Sequence, residues 1–338
     1  MSVQRFAIIG NGPAANNAAD TLRQQCSESR ITIFSRDPFR SYRPHLLPDF
    51  ISGALKEEEI YLRPYNDYKE RDITLRLGQP VVCVDFSKHQ LFLEHREVVP
   101  FDGLIIATGA RPRIPEKFQL FGDIMLTLKT PLDAKKWIQK LKEVESVLIV
   151  GGDLTSLSLS KALVRLGKRT RFILTEDALW PSVMTEEIYN TITGHLESLG
   201  IEIVHCRRIR RIARLGENSL EIETDREVIK TGALGAFFGL VPDVGFLTRT
   251  GLDIDRGILV DEFLKTRFEG VYAAGDCAQV YHPFLRDYWV SIGYQNAAFL
   301  GRMAALNLAG SHLQVTLKAE SILEVGGVKV STSWWTEF

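Results

Sequence analysis

The residues best placed for chemistry in this chain are glycines that follow short apolar runs. In RFAIIGNGPAANNAA, Gly10, Gly12 and Ala15 stand at G-x-G-x-x-A spacing. The first permits a tight turn, and the second lets backbone N–H groups close on a pyrophosphate. The small third residue lets a helix pack against its strand. The helix start, through Pro13 and Ala14, places a partial positive charge where phosphates would lie. A second loop of this kind lies in SVLIVGGDLTSLSLSKAL. It keeps Gly151 and Gly152, but Asp153 stands at the second glycine of the pattern and Ser156 at the third. Two negative groups at ~4 Å repel by ~4 kcal/mol at an effective dielectric of 20. A helix-dipole contact returns only ~0.3–1 kcal/mol, so Asp153 disfavours a pyrophosphate here.

The positions that would meet a ribose differ between the loops. After the run ITIF come Ser35, Arg36 and Asp37, with Ser35 at the usual acidic position. Its hydroxyl can bond a ribose hydroxyl, more weakly than a carboxylate would. After RFILT the matching position is Leu174 or Thr175, and Glu176 substitutes only if the register slips. Arg169 and Arg171 could meet a 2′-phosphate or be solvated charges. Two readings of the second loop therefore stand open. In one, Asp153 caps the helix and no ligand binds. In the other, the loop is a modified NAD(P)H site.

These loops need strand–turn–helix units to hold them. RFAII, the helix-like stretch that follows and ITIF form one βαβ unit, and VLIV, its helix and RFILT form another. A chain of 338 residues allows about two domains. The expected fold is α/β, with two doubly wound Rossmann-like domains. One is discontinuous, 1–110 and 240–312, around an inserted 111–239 domain, and a short tail follows at 313–338. A net charge of −1 argues against nucleic acid or an anionic membrane as partner. The Arg-rich run CRRIRRIARLG reads as a solvated strand edge or a docking patch for an acidic protein. No apolar stretch reaches the ~20 residues of a membrane span. The apolar N-terminal run feeds directly into a glycine loop, which reads as a buried strand rather than a signal. The four cysteines are scattered without C-x-x-C, as expected of a cytoplasmic protein with reduced thiols. The seven histidines show no metal-ligand pairing.

Four motifs occur in order: GNGPAA, SYRPHLL, ATGARP and VYAAGDCA. Over residues 1 to about 310 the chain resembles the FAD-dependent pyridine nucleotide-disulfide oxidoreductase superfamily. Within it, the chain looks most like the NADH:rubredoxin or ferredoxin oxidoreductase and nitrite-reductase-like branch. The resemblance implies that Gly10, Gly12, Pro13, Ala14 and Ala15 hold the FAD pyrophosphate. It sets Ser35 and Arg36 beside the adenosine ribose and Arg43 and Pro44 along the isoalloxazine or phosphates. Val81 meets the adenine. Ala107, Thr108, Gly109 and Arg111 close over the cofactor, and Gly275 and Asp276 meet the ribityl chain or pyrophosphate edge. Flavin carries the redox chemistry, so no catalytic side chain is required. The matched stretch SYRPHLLPDFISG lacks the redox cysteine of the superfamily's disulfide reductases.

The implied activity moves electrons between NAD(P)H and a small iron–sulfur carrier of rubredoxin or ferredoxin type. The alternative is an FAD electron-transfer subunit that works with an iron–sulfur protein and has lost its nicotinamide site. Only the tail matches the superfamily's third, interface-forming domain, so dimerisation in the usual manner is not expected. Trp334 and Trp335 at its end could dock a partner or pack back on the core.

Overall fold

The structure, a computed structural model, describes residues 3–119, 121–175, 185–206, 208–283, 286–290, 293–315, 320–325 and 328–333. Glu176, Trp334 and Trp335 lie outside the described residues. The chain forms two compact units. The first comprises 1–43, 61–111 and 241–318, and the second 44–60, 112–240 and 319–338.

The first unit is built on a five-stranded parallel sheet. Its order is Val271–Ala273, Gly103–Ile106, Arg5–Ile9, Arg30–Phe34 and Ile73–Arg76. The apolar runs are the strands because both faces are covered, so no polar alternation is needed. Phe6, Ala7, Ile8 and Ile9 are all buried, as are Leu104, Ile105 and Ile106. Burying each large apolar side chain is worth about 1.5–3 kcal/mol. The order reverses between the first strand and its Gly103–Ile106 neighbour. That is the switch point where open α/β sheets bind ligands, at the strands' carboxyl ends.

The helix Pro13–Gln25 follows the first strand and packs on the helix Tyr294–Leu308. The packing is close because Gly301 has no side chain. A Cβ there would stand 2.0 Å from the Ala14 carbonyl oxygen. Two three-stranded sheets complete the unit. One, antiparallel, is Val81–Asp85, Gln90–Leu93 and Val98–Pro100; the other is mixed, with Ala278–His282 parallel to Ile258–Val260 and antiparallel to Asp287–Val290.

The second unit repeats the plan. Its parallel sheet runs Glu202–Ile203, Arg169–Leu174, Ser146–Gly151, Ala233–Phe237 and Met125–Leu126. The helix Leu154–Arg165 follows the central strand. Leu148, Val150, Ile173, Leu234 and Phe238 of this half share a core with Ile212 and Ile222. The last two come from the antiparallel sheet Ile209–Gly216, Ser219–Thr224 and Val228–Thr231. Ile209–Gly216, from the Arg-rich run, is the edge strand of that sheet. Its Arg211 pairs with Glu221 at 2.8 Å and its Arg214 with Asp123 at 3.6 Å. The segment 44–60 belongs to this unit by its contacts, through Leu47–Ile51 against the helices Pro131–Glu143 and Leu154–Arg165. Residues 320–325 and 328–333 form an antiparallel hairpin. No described helix is long and apolar enough to cross a membrane.

Candidate functional site

The carboxyl ends of the first unit's strands bring the sequence candidates together. Ile9 is in register with both Phe34 and Ile106, and Ile106 with Ala273. The residues that leave these strands are Gly10, Ser35, Ala107 and Ala274, so they share one edge. Gly10 has φ +112°, and a Cβ there would stand 2.0 Å from the Ala107 carbonyl oxygen. Only glycine allows the turn to pass so near the neighbouring strand. Its N–H donates to the Phe34 carbonyl at 2.8 Å, which ties the loop to the second strand as well.

Gly12 is the N-cap of the helix Pro13–Gln25, and no side chain caps it. A Cβ added there would meet nothing within 4 Å. Pro13 at the first helical position has no N–H to satisfy. The helix-start donors of Ala14 and Ala15 therefore lack an internal side-chain acceptor, in an edge with room beside them. Such a start is suited to an anion.

Residues that sequence reasoning missed fix this loop. The Asn16 side-chain amide donates to the carbonyls of Asn11 and Gly12 at 3.1 and 3.0 Å. Tyr68 donates its hydroxyl to Asn16 Oδ1 at 2.8 Å. Burial pushes the Tyr68 phenol up to about 12, so it stays a neutral donor. Asn16 is only 1% exposed on an otherwise apolar helix face. A polar residue placed among the alanines of PAANNAA is the signal that could have found it. Ser41 is also 1% exposed, and its hydroxyl has no hydrogen-bond partner among the described residues.

The other candidates take these places. Ser35 is buried; its N–H bonds the Arg76 carbonyl and its own carbonyl receives Gln79 N–H. Val81 follows two residues later, buried at the start of its strand. Arg36 pairs with Asp243 at 3.1 Å, and Asp243 N–H donates to the Gly109 carbonyl at 3.0 Å. Asp243, also missed from sequence, thereby joins the Ser35–Arg36 turn to the Ala107–Gly109 turn. Thr108 is half-buried between them, and Arg111 is exposed at the end of the unit's segment. Gly275, at φ +79°, brings its chain against Ala14, where a Cβ would be 3.0 Å from the Ala14 methyl. Asp276 follows it, half-buried. Arg43 donates to the Tyr61 carbonyl at 3.3 Å, while Pro44 opens the short helical turn Pro44–Leu46 of the second unit.

The cysteine that follows Asp276 is not a reactive thiol. Cys277 is fully buried, with Sγ 3.4 Å from the Ile106 and Ala274 carbonyls, and burial pushes its thiol up. Such a cysteine is inert packing. No cluster of His, Cys, Asp and Glu suited to a metal occurs among the described residues.

The second loop starts from the same geometry. Gly151 has φ +111°, and a Cβ there would stand 1.9 Å from the Phe237 carbonyl oxygen. Asp153 is the N-cap of the helix Leu154–Arg165, the place Gly12 holds in the first unit. Its Oδ1 accepts Ser156 N–H at 3.0 Å, and its Oδ2 accepts Gly239 N–H at 3.2 Å. Ser156 is buried and returns its hydroxyl to the Asp153 carbonyl at 2.6 Å. The capping role open to Asp153 in the sequence is the one it plays. Gly152 N–H is also engaged, by the Phe237 carbonyl at 2.9 Å.

Arg169 and Arg171 lie away from the glycine turn. Arg169 is in register with Ser146, at the far end of the strand from Gly151. Arg171 is held by Glu202 at 2.6 Å and Glu227 at 2.9 Å. Both arginines lie toward the amino end of a parallel strand, whereas ligands gather at the carboxyl end.

Comparison with known proteins decides the family. The profile described as "Pyridine nucleotide-disulphide oxidoreductase" matches residues 4–297. The chain belongs to this family. It is an FAD-dependent oxidoreductase. It is 31% identical to rubredoxin-NAD(+) reductase of Ectopseudomonas oleovorans over 283 residues, 82% of this chain and 73% of that protein. The rubredoxin-NAD(+) reductase of Pseudomonas putida is 28% identical over 90% of this chain and 80% of that protein. A crystal structure of a ferredoxin reductase from Rhodopseudomonas palustris shares the fold. It superposes with a TM-score of 0.86 at 22% identity, over 97% of this chain and 81% of that one.

The first unit fits FAD on its own geometry. It offers an uncapped helix start, open space at Gly12 where a Cβ would meet nothing within 4 Å, and a buried hydroxyl at Ser41 without a partner among the described residues. The second loop does not offer a dinucleotide the same terms, because a carboxylate already holds its donors.

Proposed function

We propose that this protein moves electrons between NAD(P)H and a small iron–sulfur carrier of the rubredoxin or ferredoxin type, through FAD held by the first unit. One observation carries the reading: an uncapped glycine helix start at the switch point of a parallel sheet, in a chain similar to rubredoxin-NAD(+) reductases. In this assignment Gly10, Gly12, Pro13, Ala14 and Ala15 receive the pyrophosphate. Ser35 and Arg36 face the adenosine ribose, and Val81 the adenine. Ala107, Thr108, Gly109 and Arg111 would close over the cofactor, Gly275 and Asp276 would meet the ribityl chain or pyrophosphate edge, and Arg43 and Pro44 would lie along the isoalloxazine or the phosphates. When bound, flavin supplies hydride or single-electron transfer, which no side chain here could supply. The chain's own task is to neutralise the phosphates with backbone N–H groups and to hold the glycine turn rigid through Asn16 and Tyr68.

We assign FAD binding to the domain expected at 1–110 and 240–312, less the segment 44–60 that packs with the second unit, and NAD-type binding to the domain expected at 111–239, with 313–338 as a tail whose residues from 319 on also group with the second unit. The reading places the protein in the cytoplasm, in keeping with four unpaired thiols. A second reading, an FAD electron-transfer subunit of a complex with an iron–sulfur protein, is favoured by the engaged carboxylate of Asp153.

The test is anaerobic. FAD-loaded protein is mixed separately with NADH, NADPH and a chemically reduced rubredoxin or ferredoxin, and flavin bleaching is followed. Bleaching by a nicotinamide, with passage of electrons on to the oxidised carrier, is the expected result. Bleaching by the reduced carrier alone would replace the first reading with the second.

A further inference from the structure

The fold contains its own comparison, since a glycine turn into a helix is built twice, although Gly152 of the second loop, at φ +117°, takes a course that Asn11 of the first does not. Both loops leave a central parallel strand through a glycine at positive φ, +112° at Gly10 and +111° at Gly151. Both enter a helix at an N-cap of similar backbone shape. Gly12 has φ −81° and ψ −169°; Asp153 has φ −67° and ψ 173°. Among the residues that differ between them, the one at the N-cap changes which groups the helix start can offer. In the first loop no side chain takes the donors. In the second, the Asp153 carboxylate accepts Ser156 N–H and Gly239 N–H, with Thr155 N–H also acting on it. Those are helix-start donors plus one from the strand exit beyond Phe237, the groups that form an anion cradle in a dinucleotide loop. Asp153 is buried, and its two carboxylate oxygens are each held by a backbone N–H, so the carboxylate lies inside the cradle rather than over its rim.

We infer that Asp153 is the resident anion of the second glycine loop and sets the affinity for nicotinamide dinucleotide there: the pyrophosphate gains its donors only when this carboxylate lets go of Ser156 and Gly239. The inference rests on the assignment of the second unit as the dinucleotide-binding one. It makes binding weak in the charged state of Asp153 and stronger when the side chain is neutral. Burial pushes this carboxyl up from 3.8 to about 6, against the three N–H groups and Lys129, which act to lower it. Lys129 is the charged side chain that acts on it among the described residues. The switch between the two regimes therefore falls in the mildly acidic range rather than near the usual carboxylate value.

The test uses the FAD-loaded full chain as wild type, Asp153→Gly and Asp153→Ser. Serine still caps a helix start but carries no charge, so it serves if the glycine variant folds poorly. Calorimetry gives the dissociation constants of NADH, NADPH and ADP at about pH 8 and about pH 5, either side of the raised carboxyl. Flavin bleaching is read separately. Both variants should bind the dinucleotides at least about tenfold more tightly than wild type at the higher pH. Wild type should tighten on acidification while the variants do not. Equal affinity of wild type and both variants at the higher pH, whether tight or undetectable, overturns the inference. Tighter binding by the variants without flavin bleaching upholds it and refutes the functional reading instead.

Discussion

If the difference between the two loops lies in one N-cap residue, the reverse exchange should disable the first loop. Gly12→Asp puts a carboxylate at the start of the helix Pro13–Gln25. The backbone there is already in a region open to any residue, at φ −81°. A new Cβ meets nothing within 4 Å, so the chain itself resists neither the alanine nor the aspartate. The new side chain should accept the Ala15 N–H, as Asp153 accepts that of Ser156 at 3.0 Å. As an N-cap, aspartate in place of glycine adds a few tenths of a kcal/mol to the apoprotein. Against a bound diphosphate the same carboxylate is repelled by about 4 kcal/mol at 4 Å and an effective dielectric of 20. That corresponds to about a thousandfold in the FAD dissociation constant. The assay is flavin-to-protein ratio after gel filtration, followed by fluorescence titration of the apoprotein with FAD and a thermal melt without it. The expected pattern is an apoprotein at least as stable as wild type that no longer retains FAD. Gly12→Ala controls for volume and should lose far less affinity than the aspartate. If Gly12→Asp retained FAD with a dissociation constant within about tenfold of wild type, the carboxylate would not be what closes such a loop, and the same argument at Asp153 would fail with it.

Three further outcomes are expected. The Asp153 carboxyl is raised from 3.8 to about 6 in the folded chain, so the folded state holds its proton more tightly than the unfolded one. Its contribution is complete below pH 3.8 and is lost as pH rises through about 6, a change on the order of 3 kcal/mol. Denaturant titrations of Asp153→Ser should lack that decline between those pH values, and a slope equal to wild type would contradict the burial argument. Gly151→Ala should destabilise the chain by about 3 kcal/mol or more, since its Cβ would stand 1.9 Å from the Phe237 oxygen at φ +111°; an unchanged urea midpoint would count against the turn geometry. Alkylation of the FAD-loaded protein with iodoacetamide should leave flavin reduction by its reductant unchanged, because Cys277 is buried and inert, and a loss of reduction tracking thiol modification would reveal a redox cysteine.

The sequence was most readable where structure is local. RFAII and VLIV are strands because continuous apolar runs of that length suit a sheet covered on both faces. Gly10 and Gly151 mark their turns because no other residue could make them. The capping ability of Asp153 was also legible, since a cap spans three residues. What could not be read depends on contacts far apart in the chain. Asn16 needs Tyr68, 52 positions away, to become the clamp of the glycine loop. Gly239 reaches Asp153 across 86 positions. Arg171 looked available for a phosphate because its partners, Glu202 and Glu227, come from elsewhere in the fold. The segment 44–60 runs through the SYRPHLL motif that the resemblance gave to the flavin, yet after Arg43 it packs with the second unit. Side-chain polarity along the chain carries no record of which unit a loop will join.

Two loops that begin on the same glycine conformation and end on similar N-caps separate the requirements of folding from those of binding. Gly10 and Gly151 are demanded by the chain alone, because their Cβ positions overlap a neighbouring carbonyl whether or not a ligand is present. Gly12 is not, since its surroundings would admit a side chain. A glycine kept where the fold does not need it, on a helix start without a capping side chain, is what a bound anion requires and what a helix by itself would avoid. Asp153 shows the opposite solution at the matching place: the helix is complete within its own chain. In the proposed assignment the first loop therefore depends on its cofactor for the partner that the second loop already has, and the identity of the two N-caps, more than the number of glycines, would separate a loop built for a cofactor from one that must be opened to admit it.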